Sequence, residues 1–292
     1  MKLLVAGDAR VDAGKTTFAA GLLASLSGAV GFKPRAGNDH WFDHDDVTKA
    51  LAEGRLYGKD IATLTAAASE GVNTDGVDRD LREERLNPVH RLWRPTPDRT
   101  GLLGESGRPF LVDRLTTADG SHTADGSQFV VNGAAEDAGL VPDTLFEELP
   151  LTDAPRVRTV DGFNELMAEQ YLPAFERVTE RIADADPAVV ESYSDIALPV
   201  GGIDVDAVAV VGPTRTRIYD GDRYLRACEI ASGSAREGQL EERVDRVVGM
   251  IKPVSTHDLT PPTAEERADP STVADRYEPV YEALLDVGLR TV

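Results

Sequence analysis

Short apolar runs alternate with stretches of helical rhythm at both ends of the chain. Lys2-Leu3-Leu4-Val5-Ala6 is a run of the kind that a strand buried on both faces requires, and Gly7-Asp8 ends it. Phe18-Ala19-Ala20-Gly21-Leu22-Leu23-Ala24-Ser25-Leu26 follows with helical periodicity. Ala29-Val30-Gly31-Phe32 predicts a second strand. Lys33-Pro34-Arg35-Ala36-Gly37 stops it and sets Lys33 at its C-terminal end, the edge where open parallel sheets carry their sites. An acidic loop over 38–46 leads into a helix expected from about Val47, and Ile61-Ala62-Thr63-Leu64 predicts another helical piece.

The middle of the chain is less regular. Leu86 to Pro95 reads as an extended segment, and Phe110-Leu111-Val112 with Phe129-Val130-Val131 reads as a β-hairpin across a Gly/Asp/Ser-rich loop. Residues 84–150 are therefore expected to form an insertion or lid on a single domain spanning 1–292. From Asp161 to Ala183, Phe163, Leu166, Met167, Tyr171, Leu172, Phe175 and Val178 mark one amphipathic helix, kinked or broken at Pro173. Three further strands are expected at 187–191, 206–212 and 247–251, with a last helix from about Val273 to Val287. The alternation predicts an α/β fold with a mainly parallel sheet flanked by helices.

Charge narrows the partners. The 292 residues carry 51 acidic against 31 basic side chains, a formal net charge of -20. That field repels nucleic acid and anionic membrane and fits a halophilic, cytoplasmic protein kept hydrated by surface carboxylates. The single cysteine, Cys228, excludes a disulfide framework, and the N-terminal apolar run is too short for a signal peptide or a membrane span.

The candidate chemistry begins at Ala9-Arg10-Val11-Asp12-Ala13-Gly14-Lys15-Thr16-Thr17, a relaxed Walker A pattern between a strand and a helix, with Ala9 in the place of the first glycine. In such a loop, backbone N–H groups curl around a polyphosphate, here those of Asp12, Ala13, Gly14, Lys15, Thr16 and Thr17. Lysine reaches the terminal phosphates, the following threonine ligates Mg²⁺, and the helix N-terminus faces the negative charge. A carboxylate at a neighbouring strand end should complete the metal side. Three positions compete for it: Glu191 after Ala188-Val189-Val190, Asp113 after Phe110-Leu111-Val112, and the pair Asp45 and Asp46.

Taken in order, the phosphate loop, Gly31-Phe32-Lys33-Pro34, Asp45-Asp46, Asn87-Pro88, Val189-Val190-Glu191 and the late Asp258-Leu259-Thr260-Pro261-Pro262 resemble the dethiobiotin synthetase branch of P-loop proteins. The chain is also similar to an archaeal group of predicted P-loop ATPases/GTPases. The resemblance implies a three-layer P-loop NTPase fold, ATP as nucleotide and Mg²⁺ held by Thr16, Asp46 and Glu191. It also implies Lys33 facing the substrate and the transferred phosphate, and a homodimer. The chain departs from the branch in Ser192-Tyr193-Ser194 in place of glycines, in Arg35 after Lys33-Pro34, and in His257 where an asparagine serves the adenine. Arg10 stands where partition ATPases carry a second lysine, and no Asn-Lys-x-Asp guanine reader occurs, so GTP is unsupported.

The reaction expected from this set is Mg²⁺-ATP-dependent activation of a small anionic, carboxylate-bearing substrate, with Lys15, Lys33 and Arg35 as the catalytic cations. The alternative is a regulatory nucleotide switch acting through a protein partner on the 84–150 surface. His40, Asp43, His44, Asp45 and Asp46 form the one metal-like cluster, read as a solvated acidic loop or a substrate-side loop. Trp41, His90, Trp93 and Arg94 are candidates to line a pocket.

Overall fold

The computed structural model describes residues 1–9, 14–68, 82–97, 101–102, 107–116, 126–232 and 242–290. In chain order its strands are β1 (Lys2–Gly7), β2 (Val30–Phe32), β3 (Arg35–Asp39), β4 (Val89–Trp93), β5 (Phe110–Thr116), β6 (Ser127–Asn132), β7 (Arg156–Val157), β8 (Ala188–Glu191), β9 (Ala207–Gly212), β10 (Arg215–Asp220) and β11 (Ser255–Asp258). The helices are α1 (Lys15–Ser25), α2 (His44–Ala52), α3 (Lys59–Ala67), α4 (Arg82–Leu86), α5 (Gly133–Asp137), α6 (Asp143–Glu148), α7 (Val160–Leu166), α8 (Leu172–Asp184), α9 (Gly221–Ala231), α10 (Val244–Val248), α11 (Ala264–Arg267) and α12 (Pro270–Leu289). A π-helical turn, Met167–Tyr171, joins α7 to α8.

The fold is α/β, with two mixed sheets flanked by helices. Two compact units divide the chain: Met1–Pro34, Thr63–Gly76 and Thr179–Val292 form the first, Arg35–Ala62 and Val77–Val178 the second. The second unit thus contains 84–150 but begins at Arg35 and runs on to Val178.

The first unit is built on a six-stranded sheet in the order β11-β10-β9-β1-β8-β2. β1 pairs in parallel with β8 and β9, and β2 in parallel with β8, so four strands end at one edge. Leu3, Leu4, Val5 and Ala6 are fully buried, as a central parallel strand covered on both faces demands. α1 packs on α12 through Phe18 and Tyr281, whose rings meet edge to face at 4.9 Å while the Tyr281 hydroxyl donates to the Phe18 carbonyl at 2.9 Å.

The other end of this sheet departs from the sequence reading. Residues 247–251 are not a strand: Val244 and Val247 bury one face of the short helix α10, and Met250 lies 47 % exposed. A five-residue apolar run has no period of its own, and the i,i+3 valines decide for helix. The strands there are β10 and β11, both antiparallel to their neighbours. Neither has a continuous apolar run. β10 alternates, with Thr216, Ile218 and Tyr219 buried, and β11 is an edge strand that buries little.

The second unit holds a five-stranded sheet in the order β3-β4-β5-β6-β7. The expected hairpin is β5 and β6, paired antiparallel from Val112↔Val131 to Thr116↔Ser127. Its core gathers Val47, Leu51, Leu92, Leu111, Val112, Phe129, Val131 and Leu145. Arg35–Asp39, expected as the end of a strand stop and the start of an acidic loop, is instead the edge strand β3, in parallel register with β4 from Arg35↔Val89 to Asp39↔Trp93. Lys33-Pro34 separates it from β2, and Gly37, read as part of the stop, lies inside it. The single helix expected from Asp161 to Ala183 runs unbroken from Val160 to Asp184, and its irregularity is the π-helical turn Met167–Tyr171 just before Pro173, where the widened turn accommodates the proline inside the helix.

Candidate functional site

β1 ends at Gly7 and α1 begins at Lys15, with Gly14 between them in a left-handed conformation at φ 80°. Glycine reaches that conformation without steric cost, so the chain can turn into the first helical amides without strain. Lys15 folds back over the end of β1. Its Nζ donates to the Ser194 carbonyl at 2.8 Å, and a Cβ built on Gly7 would stand 2.7 Å from that Nζ. Gly7 is small because the lysine lies against it. Ser194, at φ 49°, adopts a left-handed conformation that glycine favours, and so presents its carbonyl to the lysine.

The next residue of α1 reaches a second group. Thr16 Oγ1 donates to Glu191 Oε1 at 2.8 Å, and Lys33 Nζ donates to the same oxygen at 2.7 Å. Glu191 is fully buried at the end of β8 and Lys33 is 3 % exposed just beyond β2. Parallel strands place all of this on one edge. Val5 is in register with Glu191, and Phe32 lies one level earlier beside Val190. A hydroxyl, a carboxylate and two ammonium groups therefore converge where the strands give way to α1.

The remaining expected residues lie elsewhere. Asp12 and Ala13, with Arg10 and Val11, lie outside the described residues. Thr17 is half-buried in the first turn of α1. Arg35 belongs to the second unit, where its guanidinium carbon stands 4.3 Å from the centre of the Phe175 ring. Asp46, also in the second unit, pairs with Lys59 at 3.2 Å, and its neighbour Asp45 is exposed. Asp113 is consumed by structure: Arg91 clamps it through Nε at 2.8 Å and Nη2 at 2.7 Å, and the Tyr171 hydroxyl donates to it at 2.5 Å. Burial and the Asp113 charge push the Tyr171 phenol well above its ordinary range.

Among the described residues no three His, Cys, Asp or Glu side chains converge as a metal site. His40 and His44 meet edge to face at 5.9 Å. Burial, with the neighbouring His44 and Arg94, holds His40 below the usual histidine range against the pull of Asp39. Of the candidate pocket residues, His90 is fully buried and Trp93 lies under the Arg108 guanidinium at 4.4 Å, while Trp41 and Arg94 line a cavity. His257 lines another cavity, of about 580 Å³, with Thr256, Asp258, Thr260 and Tyr277. β11 runs antiparallel to β10, and β10 antiparallel to β9, so Asp258 finishes at the same sheet edge as Gly7 and Glu191.

Two participants have no signature in the sequence. Asp8, the first residue past β1, accepts from Arg217 Nη2 at 2.7 Å and lies 3.5 Å from Arg215, so β10 anchors the start of the loop that leads to Lys15. The Ser194 carbonyl is a backbone group, and no residue type announces it. An apolar strand followed by Gly-Asp, with an arginine pair on an alternating segment, is the one hint available.

Comparison with protein-family models, with curated proteins and with solved structures finds no match to this chain.

Proposed function

We propose that the chain is an Mg²⁺-dependent ATP-binding P-loop NTPase, and that it activates a small carboxylate substrate by phosphoryl transfer. The observation that carries the reading is the convergence of Thr16 and Lys33 on one oxygen of Glu191, beside a lysine that follows a left-handed glycine at the start of α1. A strand, a turn opened by glycine, and a helix starting Lys-Thr direct amides and an ammonium group at an anion. The donor set fits magnesium, which takes hard oxygen ligands and is commonly held by one or two carboxylates plus the phosphates of its nucleotide. Thr16 and Glu191 would hold it. Bound there, the ion would neutralise charge on the phosphates.

The chain's own groups then divide the work. Lys15 and the amides from Asp12 to Thr17 bind and orient the phosphates. Lys33 stabilises charge that grows on the transferred group, which is where phosphoryl transfer needs help most. Glu191 Oε1 accepts from Lys33, so the lysine would either share this carboxylate with a bound divalent cation or turn towards substrate. The cavity beside His257, on the same sheet edge, leaves room for the nucleoside.

Isothermal titration of ATP in high salt, with and without Mg²⁺, tests the reading. Lys15→Ala should abolish binding, and Lys33→Ala should keep binding but lose turnover of the substrate. Tight ATP binding retained by Lys15→Ala overturns the assignment.

A further inference from the structure

The second unit contains a cavity of about 360 Å³ lined by His40, Trp41, Arg94, Pro95 and Pro142. It lies just past the C-terminal ends of β3 and β4, the parallel pair that finishes at Asp39 and Trp93. Diverging connections at such an edge leave a crevice, and small-ligand sites run from roughly 300 to 1,000 Å³.

The walls are fixed. The His40 N–H donates to the Trp93 carbonyl at 2.7 Å. Asp39 Oδ1 accepts from the N–H groups of Trp41 at 2.9 Å and Phe42 at 3.1 Å, and Asp43 Oδ2 accepts from the Asp39 N–H at 2.8 Å. The loop that carries Trp41 is thus pinned, yet Trp41 is 74 % exposed. An indole held by ordered backbone but left in water is a contact surface waiting for cover.

The polar wall favours an anion. Arg94 Nη1 donates to the Leu140 carbonyl at 2.9 Å, which fixes the guanidinium while using one of its five N–H donors. Of the loop acids, Asp39 already accepts two loop N–H groups and lies 3.8 Å from Arg108, and Asp43 accepts the Asp39 N–H and lies 3.8 Å from Lys59, so both charges are partly compensated. Two proline rings and an indole are flat, apolar surfaces that suit a flat, apolar partner.

We propose that this cavity binds a planar aromatic or heteroaromatic carboxylate, with its ring against Trp41 and the prolines and its carboxylate on Arg94. Guanidinium and carboxylate match in a two-point fork, a geometry that lysine or glutamine cannot copy. A volume of about 360 Å³ suits a small molecule. This inference is independent of the nucleotide reading, because every residue it uses lies in the second unit.

The test uses the full chain labelled with 5-fluorotryptophan. The sequence has two tryptophans, and Trp41→Phe assigns the Trp41 fluorine resonance. Naphthalene-2-carboxylate should shift that resonance saturably at constant salt. Naphthalene-2-carboxamide, which lacks the charge, and cyclohexanecarboxylate, which lacks the plane, should each bind about tenfold or more weakly. Arg94→Gln should weaken naphthalene-2-carboxylate by a similar factor, with circular dichroism to check the fold. Trp41→Ala, at an exposed position, should abolish binding in calorimetry. The absence of a saturable shift, or an affinity that Arg94→Gln and Trp41→Ala both leave within about twofold, overturns the proposal.

Discussion

Thr16 and Glu191 lie 175 positions apart in the chain, and the threonine hydroxyl donates to the glutamate at 2.8 Å. The β1–β8 pairing makes this contact possible, since it sets Val5 level with Glu191. Lys33 completes the group from the third strand of the parallel set. Glu191 is thus the point at which three separate sequence segments are tied together, and a buried ion pair with Lys33 does the tying.

That pair should be coupled in stability. Glu191→Ala leaves the Lys33 ammonium buried without its carboxylate, a loss of about 3–5 kcal/mol by the usual cost of breaking a buried pair. The double variant Glu191→Ala/Lys33→Met should be less destabilised than the sum of the single changes, because it removes both charges. Urea unfolding at fixed high salt measures the cycle, and strict additivity would show that the two groups act independently.

Asp113 supplies the contrast. Its two oxygens are held by Arg91 and Tyr171 in the second unit, so Asp113→Asn should lower stability and leave the Mg²⁺ dependence of nucleotide binding unchanged. Glu191→Gln should weaken that dependence. Calorimetric titrations of ATP with and without Mg²⁺ separate the two outcomes. A magnesium effect lost with Asp113 would move the metal side away from β8.

How much of this was legible depends on where the apolar residues fall. β1, β8 and β9 are continuous buried runs, Glu191 ends one of them and Gly-Lys-Thr opens the helix that follows another, so strand and candidate site could be read together. β10 and β11 carry Arg215, Arg217, His257 and Asp258, an edge composition that reads like loop, while Val247 and Val248 read like strand and belong to a helix. β3 was hidden for another reason. Its residues Arg35-Ala36-Gly37-Asn38-Asp39 have no strand propensity and are extended because β4 offers them a parallel partner. The Lys15 contact with the Ser194 carbonyl is backbone chemistry, which side-chain patterns cannot encode.

The buried tyrosines set a pH limit. Burial raises Tyr171, Tyr224 and Tyr281 well above the ordinary phenol range, with the Asp113 charge adding to the effect at Tyr171. A folded pKa above the unfolded value of about 10 means stability that is complete below that pH and is lost as pH rises through the folded values. Absorbance at alkaline pH should therefore show phenolate from these residues together with unfolding. Tyr171→Phe should reduce the amplitude of that late phase. Early, reversible ionisation of all seven tyrosines without loss of structure would contradict the burial.

Cys228 gives the most direct probe of the first unit. It lies buried on α9, whose N-terminus is capped by the Asp220 side chain accepting from the Arg223 N–H at 2.9 Å. Burial, with the negative charge of Glu242 behind it, pushes the thiol up to about 12. The thiolate is the reactive form, so at pH 8 this thiol should react with a disulfide reagent roughly a thousandfold more slowly than an ordinary cysteine, before any steric protection is counted. Denaturant should restore stoichiometric labelling over the same range in which circular dichroism reports unfolding. The raised value also means that this group contributes stability below its unfolded pKa, near 8.5, and loses it as pH rises towards the folded value. Cys228→Ser should keep the size but trade a buried thiol for a hydroxyl, and lower the unfolding midpoint modestly. Complete labelling of the native chain within seconds at pH 8 would place the thiol at the surface and refute the packing of α9 against the sheet.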